Sequence, residues 1–414
     1  MSMEKIPGET IGLTIQLINK RRFRATVGFI IIVVIENIVN QATMITLAET
    51  LPSYNWLFLI IKETTAYTLA GVFYNLGKLL LIVPLSRLSD KIGRKKALLF
   101  SFTFSISSLV IIYFARSIEI VYLGRLFFGA NSFVGVVTAL IDDYYPEKSR
   151  GKPLGYMSAA MLVGFLGGSV LGPIIFLTFG TNYSFLFLDG IMLISFANVI
   201  ISINDHPNWL RKEKRKLSDS EKALLKQLSR DPRFIGSVII NFFANMTFLG
   251  SGIYWNYIIL SHFNVSNDIA GLWFLPPLVA DFLTYIFVPI LFKKRINDVI
   301  LYACIAGIPA SIILIFKPDL VLFTLSGVIF GILNSAVIQA NDTLSLNFVP
   351  KVIKGTAIGI LKFFTIGAAT AGPLLFGLIG DFLGTFIPLI GFPLMLVVVG
   401  TVYWILVYQK IKKK

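Results

Sequence analysis

Apolar stretches of helix length alternate with short polar gaps from one end of this chain to the other. A hydrocarbon core about 30 Å thick takes about twenty helical residues to cross, and backbone groups in lipid must bond within their own helix or within a closed barrel. The runs here are helix-length, which excludes barrel strands. The pattern predicts twelve spans, at 26–48, 66–88, 97–115, 119–141, 154–178, 183–203, 234–258, 270–292, 298–316, 319–342, 356–379 and 385–408. The longest hydrophilic stretch, Asn204 to Arg233, leaves six spans on each side. The expected fold is an all-α membrane protein of twelve transmembrane helices in two pseudo-symmetric six-helix bundles, 1–203 and 234–414, joined by a cytoplasmic loop over 204–233.

The two halves echo one another. Val83-Pro84 closes span two and Val288-Pro289 closes span eight. Pro146, Arg150-Gly151 and Gly155 are matched by Pro350, Lys354-Gly355 and Gly359, and Gly172-Pro173 in span five by Gly372-Pro373 in span eleven. Echoes in the same order at nearly constant separation argue for an internal duplication. Membrane carriers built from such repeats hold substrate near the midplane, between halves that rock against each other.

Composition agrees. Of 414 residues 56% are hydrophobic, 14% are charged and the mean hydropathy is +0.78, which no water-soluble fold reconciles with a polar exterior. Of the 37 Lys and Arg, only Lys62, Arg116 and Lys317 fall in the odd-numbered loops, and only Lys78, Arg125 and Lys362 fall well inside spans, Arg87 standing at the cytoplasmic end of span two. The remainder crowd the N-terminus, the even-numbered loops and the C-terminal tail. By the positive-inside rule both termini are expected in the cytoplasm of a cell-membrane protein, and the net charge of +15 reports topology instead of a nucleic-acid partner. No cleavable signal is expected, since the first twenty-odd residues are polar and the next segment is span-length. The single cysteine, Cys304, lies within span nine and reads as core packing.

An ionisable side chain at mid-span is costly unless it pairs or meets a water-filled cavity, so each such residue is a functional candidate. Five qualify: Glu36, Lys78, Arg125, Asp281 and Lys362. Glu36 stands among Asn37, Asn40 and Gln41, a polar stripe wide enough to line a cavity. Asn241 and Asn245 are the repeat equivalents of Glu36 and Asn40. Burial and a nearby cation act in opposite senses on a carboxylate, and that competition makes a proton switch. Glu36 is therefore read as the proton carrier, with Arg125 or Lys78 as alternating counter-ion; the competing reading is a static ion pair that fixes helix packing. Asp281 follows Pro276-Pro277, where a broken helix would free backbone amides, and is either a second proton site or a structural acid bonded to them. Lys362 either contacts substrate or snorkels to the membrane edge. Tyr254, Trp255 and Tyr257 read as an interfacial belt, with a stacking wall for a solute as the alternative.

The loop after span two, Ser86-Arg-Leu-Ser-Asp90-Lys91-Ile-Gly93-Arg94-Lys95-Lys96, resembles the G-x-x-x-D-[RK]-x-G-R-[RK] signature of the major facilitator superfamily, with Ser86 in place of the leading glycine. Gly124-Arg125-Leu-Phe-Phe-Gly129 is similar to the superfamily's span-four pattern. His206-Pro207-Asn-Trp209-Leu210 and Pro350-Lys-Val-Ile-Lys354-Gly355-Thr-Ala-Ile-Gly359 resemble segments of sugar porters and their relatives. Span seven departs from the sugar porters, carrying Asn241-Phe-Phe-Ala-Asn245 where they have Q-Q-x-x-G-x-N. Gly168-Ser-Val-Leu-Gly172-Pro173-Ile-Ile-Phe176 matches the first part of a drug-antiporter pattern.

The resemblance implies a secondary transporter that works by alternating access. Its cytoplasmic gate would hold Asp90, Gly93, Arg94, Asp142, Asp143 and Arg150. The expected function is proton-coupled passage of a small polar organic solute, a sugar or metabolite, by symport; the alternative is proton-driven export of amphipathic compounds or drugs. Asn37, Asn40, Gln41, Asn241, Asn245, Tyr254, Trp255 and Lys362 are the candidate substrate contacts. The partners are then the solute, protons and the bilayer, and a monomer is expected. An enzyme would need a nucleophile or a metal cluster, and neither a histidine pair, a serine elbow nor a phosphate loop is found in the sequence, so neither enzyme chemistry nor a cofactor or metal is expected.

Overall fold

A computed structural model describes residues 8–51, 54, 63–145, 151–204, 219–291, 295–313, 316, 319–350, 353–384 and 386–412. Its helices are α1 (Gly8–Thr50), α2 (Glu63–Ile92), α3 (Arg94–Tyr113), α4 (Ile118–Ala130), α5 (Phe133–Tyr144), α6 (Gly151–Ser202), α7 (Asp219–Leu228), α8 (Pro232–Ser261), α9 (Asn267–Leu291), α10 (Ile296–Ile313), α11 (Leu320–Phe348), α12 (Lys354–Leu383), α13 (Gly391–Val402) and α14 (Gln409–Lys412). Ten helical stretches among the described residues are long and apolar enough to cross a membrane, and shorter apolar helices stand at 269–284 and 297–309, the places of spans eight and nine. One apolar core gathers side chains between Ala25 and Ile203, and a second gathers those between Ile240 and Val407.

Local chemistry explains where helices break. Span four is two helices, not one, because the chain leaves helical geometry at Asn131 and Ser132. The break is held from α3: Asn131 Nδ2 donates to Ser105 Oγ at 2.6 Å, and Ser101 donates to the Asn131 side-chain oxygen. Ser132 Oγ donates to the Lys78 carbonyl at 3.1 Å, tying the break to α2. In α6 two spans meet at Gly180, whose φ of 70° is costly for a residue with a Cβ. α9, by contrast, runs unbroken through Pro276-Pro277, so the expected rupture before Asp281 is absent.

Small residues set the spacing between helices, as expected where lipid supplies no hydrophobic drive between them. α6 lays Gly164, Gly168 and Gly172 along α1, so close that an added Cβ would lie 2.7 Å from the Val34 carbonyl, 2.6 Å from that of Ile38 and 3.0 Å from Ala42 Cα. Gly77 of α2 and Gly129 of α4 bring those helices into backbone contact, at Leu126 and Tyr74 respectively. The second contact positions the functional cluster.

The stretch read as a hydrophilic loop contains one more element. α7 is amphipathic, and its Leu224, Leu225 and Leu228 pack with Phe234, Val349, Ile353, Ala357 and Leu361, closing a small core at the ends of α8, α11 and α12. Arg22 and Thr26 of α1 meet Tyr145 just beyond the Arg94–Asp143 pair, and α7 lines a cleft with Lys410; the helix ends that carry these groups are called here the basic face.

Candidate functional site

The α2–α4 contact places Tyr74 and Lys78 beside Arg125, and α1 supplies Glu36 and Asn40. Glu36 is 1% exposed, which rules out a position against acyl chains. Its Oε1 accepts a hydrogen bond from the Tyr74 hydroxyl at 3.4 Å. Neither Lys78 nor Arg125 forms an ion pair with it within 4.0 Å, although both act on it electrostatically. Instead the two cations share the Tyr74 ring: Lys78 Nζ lies 4.2 Å and the Arg125 guanidinium 4.8 Å from its centroid. Such contacts contribute about 2 kcal/mol each when desolvated.

Arg125 donates from Nη2 to Asn40 Oδ1 at 3.0 Å and from Nε to the Ala70 carbonyl at 3.3 Å, while its Nη1 is buried without a hydrogen-bond partner. The site thus holds one carboxylate, two cations and an unfilled donor, with an aromatic ring between charges of opposite sign. A static Glu36 ion pair is not what the geometry contains. Tyr74 went unnoticed in the sequence; its place four residues before Lys78, on the same helical face, is the signal that would have found it.

The polar stripe of α1 divides. Glu36 and Asn40 face α2 and α4, whereas Asn37 Cβ packs on Gly164 and Gln41 Cβ on Gly168. The Asn37 amide donates to its own helix, at the Val33 carbonyl, 2.7 Å. Asn37 and Gln41 therefore serve the α1–α6 seam and are corrected out of the charged cluster.

The second bundle carries its own polar network. Asn241 Nδ2 donates to Asp342 Oδ1 at 3.2 Å, Thr365 Oγ1 donates to Asn241 Oδ1 at 2.7 Å, and Asn245 Nδ2 donates to the Asn241 carbonyl at 2.8 Å. Lys362, exposed, acts electrostatically on Asp342. Asp342 was overlooked because the predicted span ends on it, whereas α11 continues to Phe348. Asp281 is buried, and its Oδ1 has no hydrogen-bond partner, so the expected bonds to freed amides are absent.

Tyr254 and Trp255 need a correction too. Tyr254 is 0% exposed and fills the recess at Gly380 against Phe376, and Trp255 stacks on Phe323 at 3.9 Å over Gly327. The missing side chains of Gly327 and Gly380 make room for both rings inside the core. They form neither an interfacial belt nor an open wall.

The profile of the Major Facilitator Superfamily matches residues 26–340. The chain belongs to that superfamily. Relatives include the class H tetracycline resistance protein of Pasteurella multocida, 30% identical over 27% of this chain and 28% of that protein, and multidrug resistance protein 2 of Bacillus subtilis, 26% identical over 46% and 48%. The matched stretches span about half or less of those relatives' length. Among solved structures, a bacterial homologue of the human lysosomal transporter Spinster aligns over 95% of this chain and 98% of its own with a TM-score of 0.79 at 15% identity. A D-xylose-proton symporter aligns over 93% and 97% with a TM-score of 0.74 at 14% identity. The fold is that of the superfamily, and the chain is a multi-pass membrane protein.

The superfamily signature after span two forms a compact cluster. Gly93, at φ 96°, makes the turn that only glycine adopts without strain, and Arg94 opens α3. Arg94 Nε donates to Asp143 Oδ2 at 2.9 Å, and its Nη1 donates to Asp90 Oδ1 at 2.5 Å and to Ser89 Oγ at 2.6 Å. Asp143, not Asp142, is the partner. Arg150, and the His206–Leu210 segment, lie outside the described residues.

All members of this cluster belong to the first bundle. Among the described residues, the contacts that join the two bundles lie elsewhere, between mid-membrane and the face opposite the basic one. Thr65 N donates to Asp381 Oδ2 at 3.0 Å, Tyr67 stacks on Tyr257 at 6.1 Å, Asn75 Nδ2 donates to the Ala369 carbonyl at 2.9 Å, and Gly271 and Gly377 press on α6 and α2.

Proposed function

We propose that this superfamily member couples proton movement to the export of amphipathic compounds, with Glu36 as the proton carrier. One observation carries the reading: Glu36 is buried, electrostatically coupled to Lys78 and Arg125, and bonded to neither. A carboxylate locked in an ion pair has no reason to exchange its proton, and one facing lipid has no route for it. A carboxylate separated from two cations by a shared ring gains either cation as partner through a small helix movement, and loses it again by the reverse movement. Proton binding at Glu36 then becomes linked to the rocking of the bundles.

Export is favoured over the import of a sugar or metabolite by the names of several relatives, among them tetracycline and multidrug resistance proteins. The stretch Gly168 to Pro173, which matches the first part of a drug-antiporter pattern, points the same way. With the basic face in the cytoplasm, as the positive-inside rule expects, the described contacts between the bundles, which lie toward the opposite face, fit an inward-facing state. In the outward-facing state Asp90, now 62% exposed at its side chain and bonded to Arg94, becomes available to the N-terminal end of α12.

The test is transport in everted membrane vesicles and proteoliposomes, with tetracycline and D-xylose as probes of the two directions. Proton-driven accumulation of tetracycline in everted vesicles, lost in Glu36→Gln while exchange persists, is the expected result. Proton-driven uptake of D-xylose in right-side-out vesicles would establish the import reading instead, with the polar network around Asn241 as its natural contact.

A further inference from the structure

A cleft of about 670 Å³ opens on the basic face, well away from the Glu36 cluster. Its walls are α7, the first turn of α8 and the last helical turn of the chain. Four basic side chains line it: Lys226, Arg230, Arg233 and Lys410. Among the described residues only Arg233 is neutralised, by Asp231 through bonds of 2.6 to 3.2 Å, and its guanidinium is steadied over the Phe348 ring at 5.1 Å. Lys226, Arg230 and Lys410 form no ion pair among the described residues. Like charges repel across a cleft of this size, and a chain that gathers three uncompensated cations there gains from an anion between them.

The surroundings identify the anion. Asp231 already caps α8, accepting from Arg233 N at 2.9 Å, so the helix end is not the attraction. Below the cleft, towards the membrane, α8 and the final span meet at Gly236 and Leu406, and the exposed apolar side chains of Ile235 and Ile405 flank that seam. Trp404 stacks on Tyr408 at 5.1 Å, and Trp404 is half exposed, the arrangement of an aromatic pair at the headgroup level. A charged cup above an apolar seam suits a molecule with an anionic head and acyl tails.

We propose that this cleft seats the phosphate headgroup of an anionic membrane lipid. The lipid would bind α7, the only described helix in the connection between bundles, to the second bundle, and hold the small core under α7 in place.

The test uses the full chain purified in neutral detergent and titrated with short-chain phosphatidylglycerol, short-chain phosphatidylcholine or inorganic phosphate, read by the thermal unfolding midpoint. A saturable rise with phosphatidylglycerol is expected. In K226Q/R230Q/K410Q the concentration for half effect should rise about tenfold or more. Lys222→Gln, whose charge pairs with Asp219 outside the cleft, should behave as the parent chain. Lys410→Glu repeats the test at a single exposed position, independent of the folding of the triple variant. Equal responses to the two lipids, an unchanged triple variant, or an equal shift with inorganic phosphate would each overturn the lipid assignment. None of these readings depends on Glu36 or on transport.

Discussion

Asp381→Ala is expected to open the face opposite the basic one. Asp381, at the end of α12, accepts a hydrogen bond from Thr65 N at 3.0 Å, and Thr65 lies in the first turn of α2, where backbone donors have no partner within the helix. A hydrogen bond to a charged group contributes about 1.5–3 kcal/mol, and a carboxylate at a helix N-terminus adds about 0.3–1 kcal/mol. Partial exposure of Asp381 discounts this to just below the lower end of the sum, about 1.5 kcal/mol. The bond joins one bundle to the other, so its whole value counts toward the state in which they touch, and its loss shifts the equilibrium roughly tenfold. The assay is labelling of Thr68→Cys, buried beside Gly377 in the same seam, by a membrane-impermeant maleimide in a Cys304→Ser background. A rate about tenfold higher in Asp381→Ala is the expected result. An unchanged rate would refute the idea that this contact biases the two states.

Five further substitutions probe the scaffold. Gly129→Ala forces a methyl onto the Tyr74 carbonyl and should lower the stability by about 3 kcal/mol or abolish folding, whereas Gly155→Ala meets nothing within 4 Å and should leave the unfolding midpoint unchanged. Arg94→Ala removes a buried partner of the Asp143 carboxylate and should cost about 3 kcal/mol, while Asp90→Asn, at the exposed end of the cluster, should cost under about 1 kcal/mol; thermal unfolding separates them. Tyr254→Ala should reduce the yield of folded protein by emptying a core recess, at a cost of about 3 kcal/mol or more, and leave the half-saturation concentration of the surviving transporter unaltered.

The spans were legible because bilayer thickness fixes the length of an apolar run, and each predicted span overlaps an apolar helix in the structure. Glu36, Lys78 and Arg125 were legible for a related reason: charge stands out against apolar neighbours. What they touch was not. Whether Asn37 or Asn40 faces Arg125 depends on Gly164 and Gly168, which lie in another helix far along the chain and claim one side of α1. Tyr74 passed as one more aromatic in a chain rich in them, and its role follows from the α2–α4 approach at Gly129. Tyr254 and Trp255 were misread because the recesses that bury them are made by absent side chains, at Gly380 and Gly327. α7 was hidden by its polarity, since only Leu224, Leu225 and Leu228 face its small core.

The most direct measurement of the central claim needs no substrate. With spin labels on the basic-face ends of the two bundles, the distance distribution of the reconstituted transporter is recorded by double electron–electron resonance across a range of pH. The populations of the two states are expected to change with pH in the parent chain and to be independent of pH in Glu36→Gln. Retention of the parent's pH dependence in Glu36→Gln would contradict Glu36 as the proton carrier.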